Sequence, residues 1–267
     1  MLAVGPLMIP FSLLALIAAV LLGEFAAKRW LRQRGDGSQP PAGRILFAGV
    51  VTARLVFVAQ HADSYLPDPW SILDIRDGGW HAIAGFAGAW LAGAWFMLRD
   101  RPRAASVFGG LAAASITWGM AQGILGMHED ATPMPAVTLS SLEQQPVTLQ
   151  AYAGKPMVVN LWASWCPPCR REMPVFQHSQ AQRPDVNFVF VNQGESLSTV
   201  QAFLAEQGLK LDNVLLDQAG QTGQAIGQRA LPATLFFDAQ GKWVETRMGE
   251  LSTATLGQKL ERIAPAR

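Results

Sequence analysis

Cys166 and Cys169 are the only two cysteines in the 267-residue chain, and they sit in Trp165-Cys166-Pro167-Pro168-Cys169. A tetrahedral metal site needs three or four ligands, whereas this pair supplies two thiolates, and His178 lacks the spacing of a partner. A dithiol/disulfide couple needs nothing more. The apolar run Met157 to Trp162 reads as a buried strand, and the segment after Cys166 reads as a helix with proline in its first turn, where no amide hydrogen bond is lost. Cys166 therefore falls at a helix N-terminus, where unpaired amides and the positive end of the helix dipole favour a thiolate. It is the expected attacking sulfur, and Cys169, one turn deeper, the expected resolving thiol. The alternative is a static disulfide or a pair of unreactive core cysteines, but a CxxC directly after a buried strand argues against both.

The elements that must position this pair follow in a regular order. Val137 to Leu139 and Val147 to Leu149 suggest a small hairpin, and Val186 to Val191 an apolar central strand. Val200, Phe203 and Leu204 have helical spacing in a helix from about Ser196 to Gln207, stopped by Gly208. Val214 to Leu216 reads as a short strand and Gly220 to Gly227 as a small helix. Ala233 to Asp238 and Trp243 to Arg247 form an antiparallel hairpin around a Gln240-Gly241 turn, before a last helix from about Thr253 to Ile263. The order β-α-β then β-β-α predicts an α/β thioredoxin fold with a mixed central sheet. Pro232 precedes a core strand, so it belongs at the strand's first position or in a tight turn.

The first 127 residues have a different composition, rich in Ala, Gly, Leu and Trp. Half of the whole chain is apolar and its formal net charge is +1, which gives no reason to expect a nucleic-acid or acidic partner. Val4 to Ala27 is too long for a signal-peptide core and lacks a basic leader, so it reads as a retained transmembrane helix. Arg44 to Gln60, Gly79 to Leu98 and Ala104 to Met127 complete an α-helical membrane domain of about four transmembrane helices. Basic residues gather after the first span (Lys28, Arg29, Arg32, Arg34, Arg44) and between the third and fourth (Arg99, Arg101, Arg103). Both clusters are expected on the cytoplasmic side. The loop 61–78 and everything after Met127 then lie outside the cytoplasm. There a catalytic dithiol needs a dedicated electron donor or acceptor. Small residues in the third and fourth spans suit close packing, while Arg54 and His81 are ionisable groups at or near membrane depth and so candidates for function. The expected boundaries are a membrane domain over 1–127, a proline-punctuated linker over 128–135 and a thioredoxin-like domain over 136–267.

Two resemblances sharpen this reading. Asn160 to Pro174, with Trp165, the dithiol and Arg170-Arg171-Glu172-Met173 in register, is similar to the signature of the TlpA/ResA branch of membrane-tethered thiol–disulfide oxidoreductases. Val191 to Glu195 resembles the segment that carries a buried glutamate in that branch, and Leu231-Pro232-Ala233-Thr234 resembles its cis-proline loop. The resemblance implies Cys166 as nucleophile, Cys169 as resolving thiol, Glu195 as a proton-handling carboxylate and Pro232 in the substrate-facing loop. Trp165, Pro167, Pro168 and Leu231 would face the substrate. It also implies disulfides of exported proteins as substrates, a membrane thiol reductase as electron donor, and no cofactor or metal beyond the redox-active disulfide. The location implied is the bacterial inner membrane, multi-pass, with the thioredoxin-like domain in the periplasm.

Ala53-Arg54-Leu55-Val56-Phe57, Asp68 to Leu73, Asp77-Gly78-Gly79 and Gly85 to Gly88 resemble the central part of the prolipoprotein diacylglyceryl transferases. That implies membrane lipids as partners and Arg54 as a lipid-headgroup contact. The family's His-Gly-Gly reads Ile83-Ala84-Gly85 here, and His81 is out of register, so the expected state is a truncated, non-catalytic copy. Two rival functions follow: a lipid-modifying transferase with a redox accessory domain, and a redox or copper sensor using Met134 and Met173 as soft ligands.

Overall fold

The computed structural model describes residues 2–4, 7–9, 11–35, 39–127, 134–227 and 230–265. The chain divides into two compact units, residues 1–72 with 79–130, and residues 73–78 with 131–267. Most of the expected linker, 128–133, lies outside the described residues.

In the first unit, the expected span from Val4 to Ala27 is corrected. Leu2–Val4 (β1) and Leu7–Ile9 (β2) pair antiparallel, and the helix α1 runs Phe11–Gln33. Prolines at positions 6 and 10 each lack an amide donor, so a helix cannot propagate through this stretch without losing ladder bonds. At its other end α1 continues past Ala27 through good helix formers, with Lys28 bridging Glu24 at 2.6 Å one turn earlier. α2 (Ala42–Gln60), the short α3 (Ala62–Tyr65), α4 (Ala82–Arg99) and α5 (Ala104–Met127) follow. Among the described residues, three helices are long and apolar enough to cross a membrane, spanning Ala42–Gln60, Ala82–Arg99 and Arg101–Ile124. Around α1, Leu21, Leu22 and Phe25 are at least half exposed, as an apolar surface toward lipid would be.

Small residues set the helix packing. A Cβ on Gly23 would lie 2.7 Å from the Gly110 carbonyl oxygen, and one on Gly49 would lie 2.9 Å from that of Gly85. Only glycine lets these backbones touch. The contacts Gly23–Gly110, Gly49–Gly85 and Gly93–Leu111 order the helices laterally as α1, α5, α4, α2, each antiparallel to its neighbour.

The second unit is a seven-stranded sheet in the order β4-β3-β7-β6-β5-β8-β9. Its strands are β3 (Thr138–Ser141), β4 (Pro146–Thr148), β5 (Met157–Trp162), β6 (Asn187–Gln193), β7 (Val214–Asp217), β8 (Ala233–Phe237) and β9 (Trp243–Met248). β5, β6 and β7 run parallel, and the remaining pairs are antiparallel, so the sheet is mixed as expected. The helices are α6 (Pro167–Gln182), α7 (Leu197–Glu206), α8 (Gln221–Ala225) and α9 (Thr253–Ile263). Side chains alternate across the strands. Val158, Trp162, Phe188, Phe190 and Phe236 pack with α6, α7 and α9. Met157, Val159, Leu161, Val189 and Leu235 pack on the other face with Leu139 and Leu149. All six residues of β5 are buried, which explains an uninterrupted apolar run broken only by Asn160.

Candidate active site

Three loops converge because of strand register. β5 ends at Trp162, opposite Asn192 near the end of the parallel β6, while the antiparallel β8 starts at Ala233, opposite Leu161. The dithiol loop, the Gly194-Glu195 turn and the Leu231-Pro232 turn therefore leave the same end of the sheet.

Cys166 is the N-cap of α6, with Pro167 in the first turn, as the sequence predicts. The Cys169 amide donates to the Cys166 sulfur at 3.3 Å, one of the free amide donors that a helix start offers. Cys166 and Cys169 form a disulfide with a Cα separation of 5.3 Å. Cys166 retains 3% exposure and Cys169 none, so Cys166 is the sulfur a partner reaches first. Trp165 is 67% exposed beside it, Pro167 is exposed, and Pro168 and Leu231 are half-buried. The Leu231–Pro232 peptide is cis, Pro232 is buried, and Leu231 packs against the apolar cluster that holds both cysteines.

Glu195, whose segment's resemblance implies a buried carboxylate near the dithiol, is half-buried. The Ser164 amide donates to its Oε2 at 2.7 Å, the Ser164 hydroxyl to Oε1 at 2.5 Å, and Asn192 Nδ2 to Oε2 at 2.6 Å. The carboxylate thus ties the turn after β6 to the residue two before Cys166. Capping of α7 falls to Ser196, whose hydroxyl accepts from the Thr199 amide.

A fully buried carboxylate does lie near the dithiol: Glu172, which the sequence reading passed over. It lies one helical turn beyond Cys169, is 0% exposed, and accepts from Asn160 Nδ2 at 2.9 Å and from the Leu251 amide at 3.1 Å. Asn160 Nδ2 also donates to the Thr234 hydroxyl at 3.1 Å, linking the middle of β5 to the strand that follows Pro232. Burial pushes the Glu172 carboxyl up to about 8, against the two donors that lower it. A signal for it exists in the sequence: Cys169, Glu172, Met173 and Phe176 share the buried stripe of α6 at i, i+3, i+4, i+7 spacing.

Arg54, 7% exposed in α2, lies in the first unit. Its Nε donates to the Ile72 carbonyl at 3.0 Å, Nη1 to that of Gly79 at 2.9 Å and Nη2 to that of Ser71 at 3.2 Å. Its guanidinium carbon lies 5.2 Å from the Tyr65 ring and 5.8 Å from the Trp80 ring, within cation–π range. His81 caps α4, its Nδ1 accepting from the Ala84 amide at 3.1 Å. Met134 and Met173, the candidate soft ligands, belong to the clusters on opposite faces of the sheet and cannot share an ion.

Comparison with known proteins follows the same division. Residues 129–260 match the Redoxin family, and residues 6–128 match the prolipoprotein diacylglyceryl transferase family. Over 133 residues the chain is 34% identical to the thiol-disulfide oxidoreductase ResA of Geobacillus thermodenitrificans, covering 49% of this chain and 76% of that protein. The corresponding protein of Halalkalibacterium halodurans is 30% identical over 129 residues, covering 48% and 73%. Among solved structures, the dsbF of MTB is 26% identical with a TM-score of 0.47, over 51% of this chain and 100% of the other.

Proposed function

The chain belongs to the ResA family of thiol–disulfide oxidoreductases, and we propose that it is a membrane-anchored, extracytoplasmic member that reduces disulfides of exported proteins. The observation that carries this reading is the graded burial of the dithiol at the start of α6, with Cys166 3% exposed and Cys169 fully buried beneath it. The Cys166 thiolate attacks one sulfur of the substrate disulfide, forming a mixed disulfide and releasing the other sulfur as a thiolate. Cys169 then loses its proton and attacks the Cys166 sulfur. The second substrate thiolate departs, leaving the Cys166–Cys169 disulfide and a substrate reduced by two electrons. A membrane thiol reductase returns those electrons, and no cofactor beyond the dithiol is required.

Each neighbour has a part in this cycle. Glu172, one turn past Cys169 and with its carboxyl raised to about 8, is matched to a thiol and takes the proton that Cys169 sheds. Glu195 holds Ser164, and through it the approach to Cys166. The Leu231-Pro232 turn and Trp165 receive the substrate backbone and side chains. The first unit serves as anchor, with Arg54 holding the carbonyls of Ser71, Ile72 and Gly79. Its basic helix ends face the cytoplasm, which leaves the dithiol outside.

Cys169→Ser in the full chain tests the reading. It is expected to accumulate mixed disulfides through Cys166 with exported proteins, and Cys166→Ser to accumulate none. A dithiol potential near about −120 mV, the range of the strongest periplasmic oxidants, would reverse the assigned direction of electron flow.

A further inference from the structure

Arg247 is a half-buried cation of the second unit, and it lies in register with the residues that hold Glu172. On the edge strand β9 it stands opposite Thr234 of β8, which in turn stands opposite Asn160 of β5. Cross-strand partners point to the same face, so the three side chains form one polar row on the side of the sheet that carries α6. At the inner end of the row, Asn160 donates to Glu172. At the outer end, burial pushes the Arg247 guanidinium down from its ordinary value, and its Nε meets no acceptor among the described residues.

Residues 73–78, which belong to the second unit, lie against this cation. Arg247 Nη2 donates to the Arg76 carbonyl at 3.5 Å. A Cβ on Gly78 would run into the guanidinium, and Gly78 is left-handed with φ 68°, so glycine alone suits this approach. Between them, Asp77 is 6% exposed, and its Oδ2 accepts from the Ser252 hydroxyl at 3.4 Å. The amide of the preceding residue, Leu251, donates to Glu172 at 3.1 Å. Successive residues therefore hold two buried carboxylates, and both act on Arg247, Asp77 more strongly than Glu172.

The other carboxylates nearby have cations of their own. Glu245 of β9 pairs with Lys259 and Arg262 of α9, Glu250 with Arg171 of α6 at 2.5 Å, and Asp74 with Arg76 at 2.6 Å. Arg247 is the cation that Asp77 and Glu172 share. A charged Asp77 beside it offsets the field that would otherwise favour the Glu172 carboxylate. We infer that Asp77, by engaging Arg247, is a positioning residue that keeps Glu172 a strong enough base to take the proton of the Cys169 thiol. The inference rests on the proton-taking role given to Glu172 above. It adds to that role a residue from outside the region matched to Redoxin.

The test follows the Glu172 carboxyl directly, as the protonated-carboxyl band in pH-titrated infrared spectra of the detergent-solubilised full chain, identified by its loss in Glu172→Gln. Asp77→Asn keeps the shape and the acceptor for Ser252 but removes the charge. It should lower the midpoint of the band by about one pH unit, a tenfold loss of proton affinity. Arg247→Met should raise the midpoint, and in that background Asp77→Asn should change it little. A midpoint unmoved in Asp77→Asn or in Arg247→Met would overturn the inference. So would a shift in Asp77→Asn of the same size with Arg247 absent. The pH profile of Cys169 attack on the mixed disulfide should move with the band. A band that moves while the kinetic profile stays would uphold the coupling and remove Glu172 from proton transfer, so the two readings fail separately.

Discussion

Arg54 in the first unit and Glu172 in the second are both buried ionisable side chains, and the two are treated in opposite ways. Arg54 donates to three main-chain carbonyls and lies within cation–π range of two aromatic rings, so its contacts pin the backbone at Ser71, Ile72 and Gly79. Glu172 receives one side-chain amide and one main-chain amide, too little to offset its desolvation, and burial raises its carboxyl to about 8. A buried group whose donors are met by carbonyls is a fastener. One that is left short of donors keeps its proton to higher pH, and Glu172 lies one turn from Cys169.

The largest expected effect that tests this contrast is on stability against pH. The Glu172 carboxyl rises from 4.5 to about 8 on folding, so the folded state holds its proton longer than the unfolded state does. Its contribution is complete below about pH 4.5 and is lost as pH rises to about 8. Denaturant titrations should show stability falling over that window by up to about 5 kcal/mol, and Glu172→Gln should flatten the slope. A slope unchanged by the substitution would assign the proton elsewhere. Arg54→Ala should cost about 3 to 5 kcal/mol through the carbonyls of Ser71, Ile72 and Gly79 it leaves without a donor. Melting of the detergent-solubilised chain measures this, and disulfide reduction at a temperature where the chain is folded should be unchanged.

Smaller effects sharpen the same contrast. Glu172→Gln should slow resolution of the mixed disulfide about a hundredfold while sparing Cys166 attack, a split that stopped-flow kinetics with a fluorescent disulfide resolves. Loss of both steps together would make Glu172 structural. Ser164→Ala removes one of the three hydrogen bonds to Glu195 and should cost about 1 kcal/mol, with little change in the resolving step. A large kinetic loss there would return proton handling to Glu195.

Much of the dithiol half is legible in the sequence because its signals are local. The apolar run of β5, the prolines after Cys166 and the 253–263 helix each declare themselves within a dozen residues. Glu172 is hidden by its neighbours: Arg170 and Arg171 are exposed, and a charged trio reads as a solvated face unless helical phase is counted from Cys169. Pairing of β3 with β7 is likewise invisible, since the two strands are far apart in the chain and neither carries a register signal. In the first unit, hydropathy finds the spans but not the β1–β2 pair, because a sum over apolar residues ignores the prolines that interrupt it.

The lateral order α1, α5, α4, α2 also has a bearing on how the protein is made. α1 is synthesised first, yet its glycine-lined partner is α5, the last of the five helices to leave the ribosome. At about 5 to 20 residues per second, α1 waits several seconds before that contact can close. α2 and α4 pair earlier, so assembly begins at the far side of the bundle and is sealed by α5, just before the dithiol domain begins to emerge.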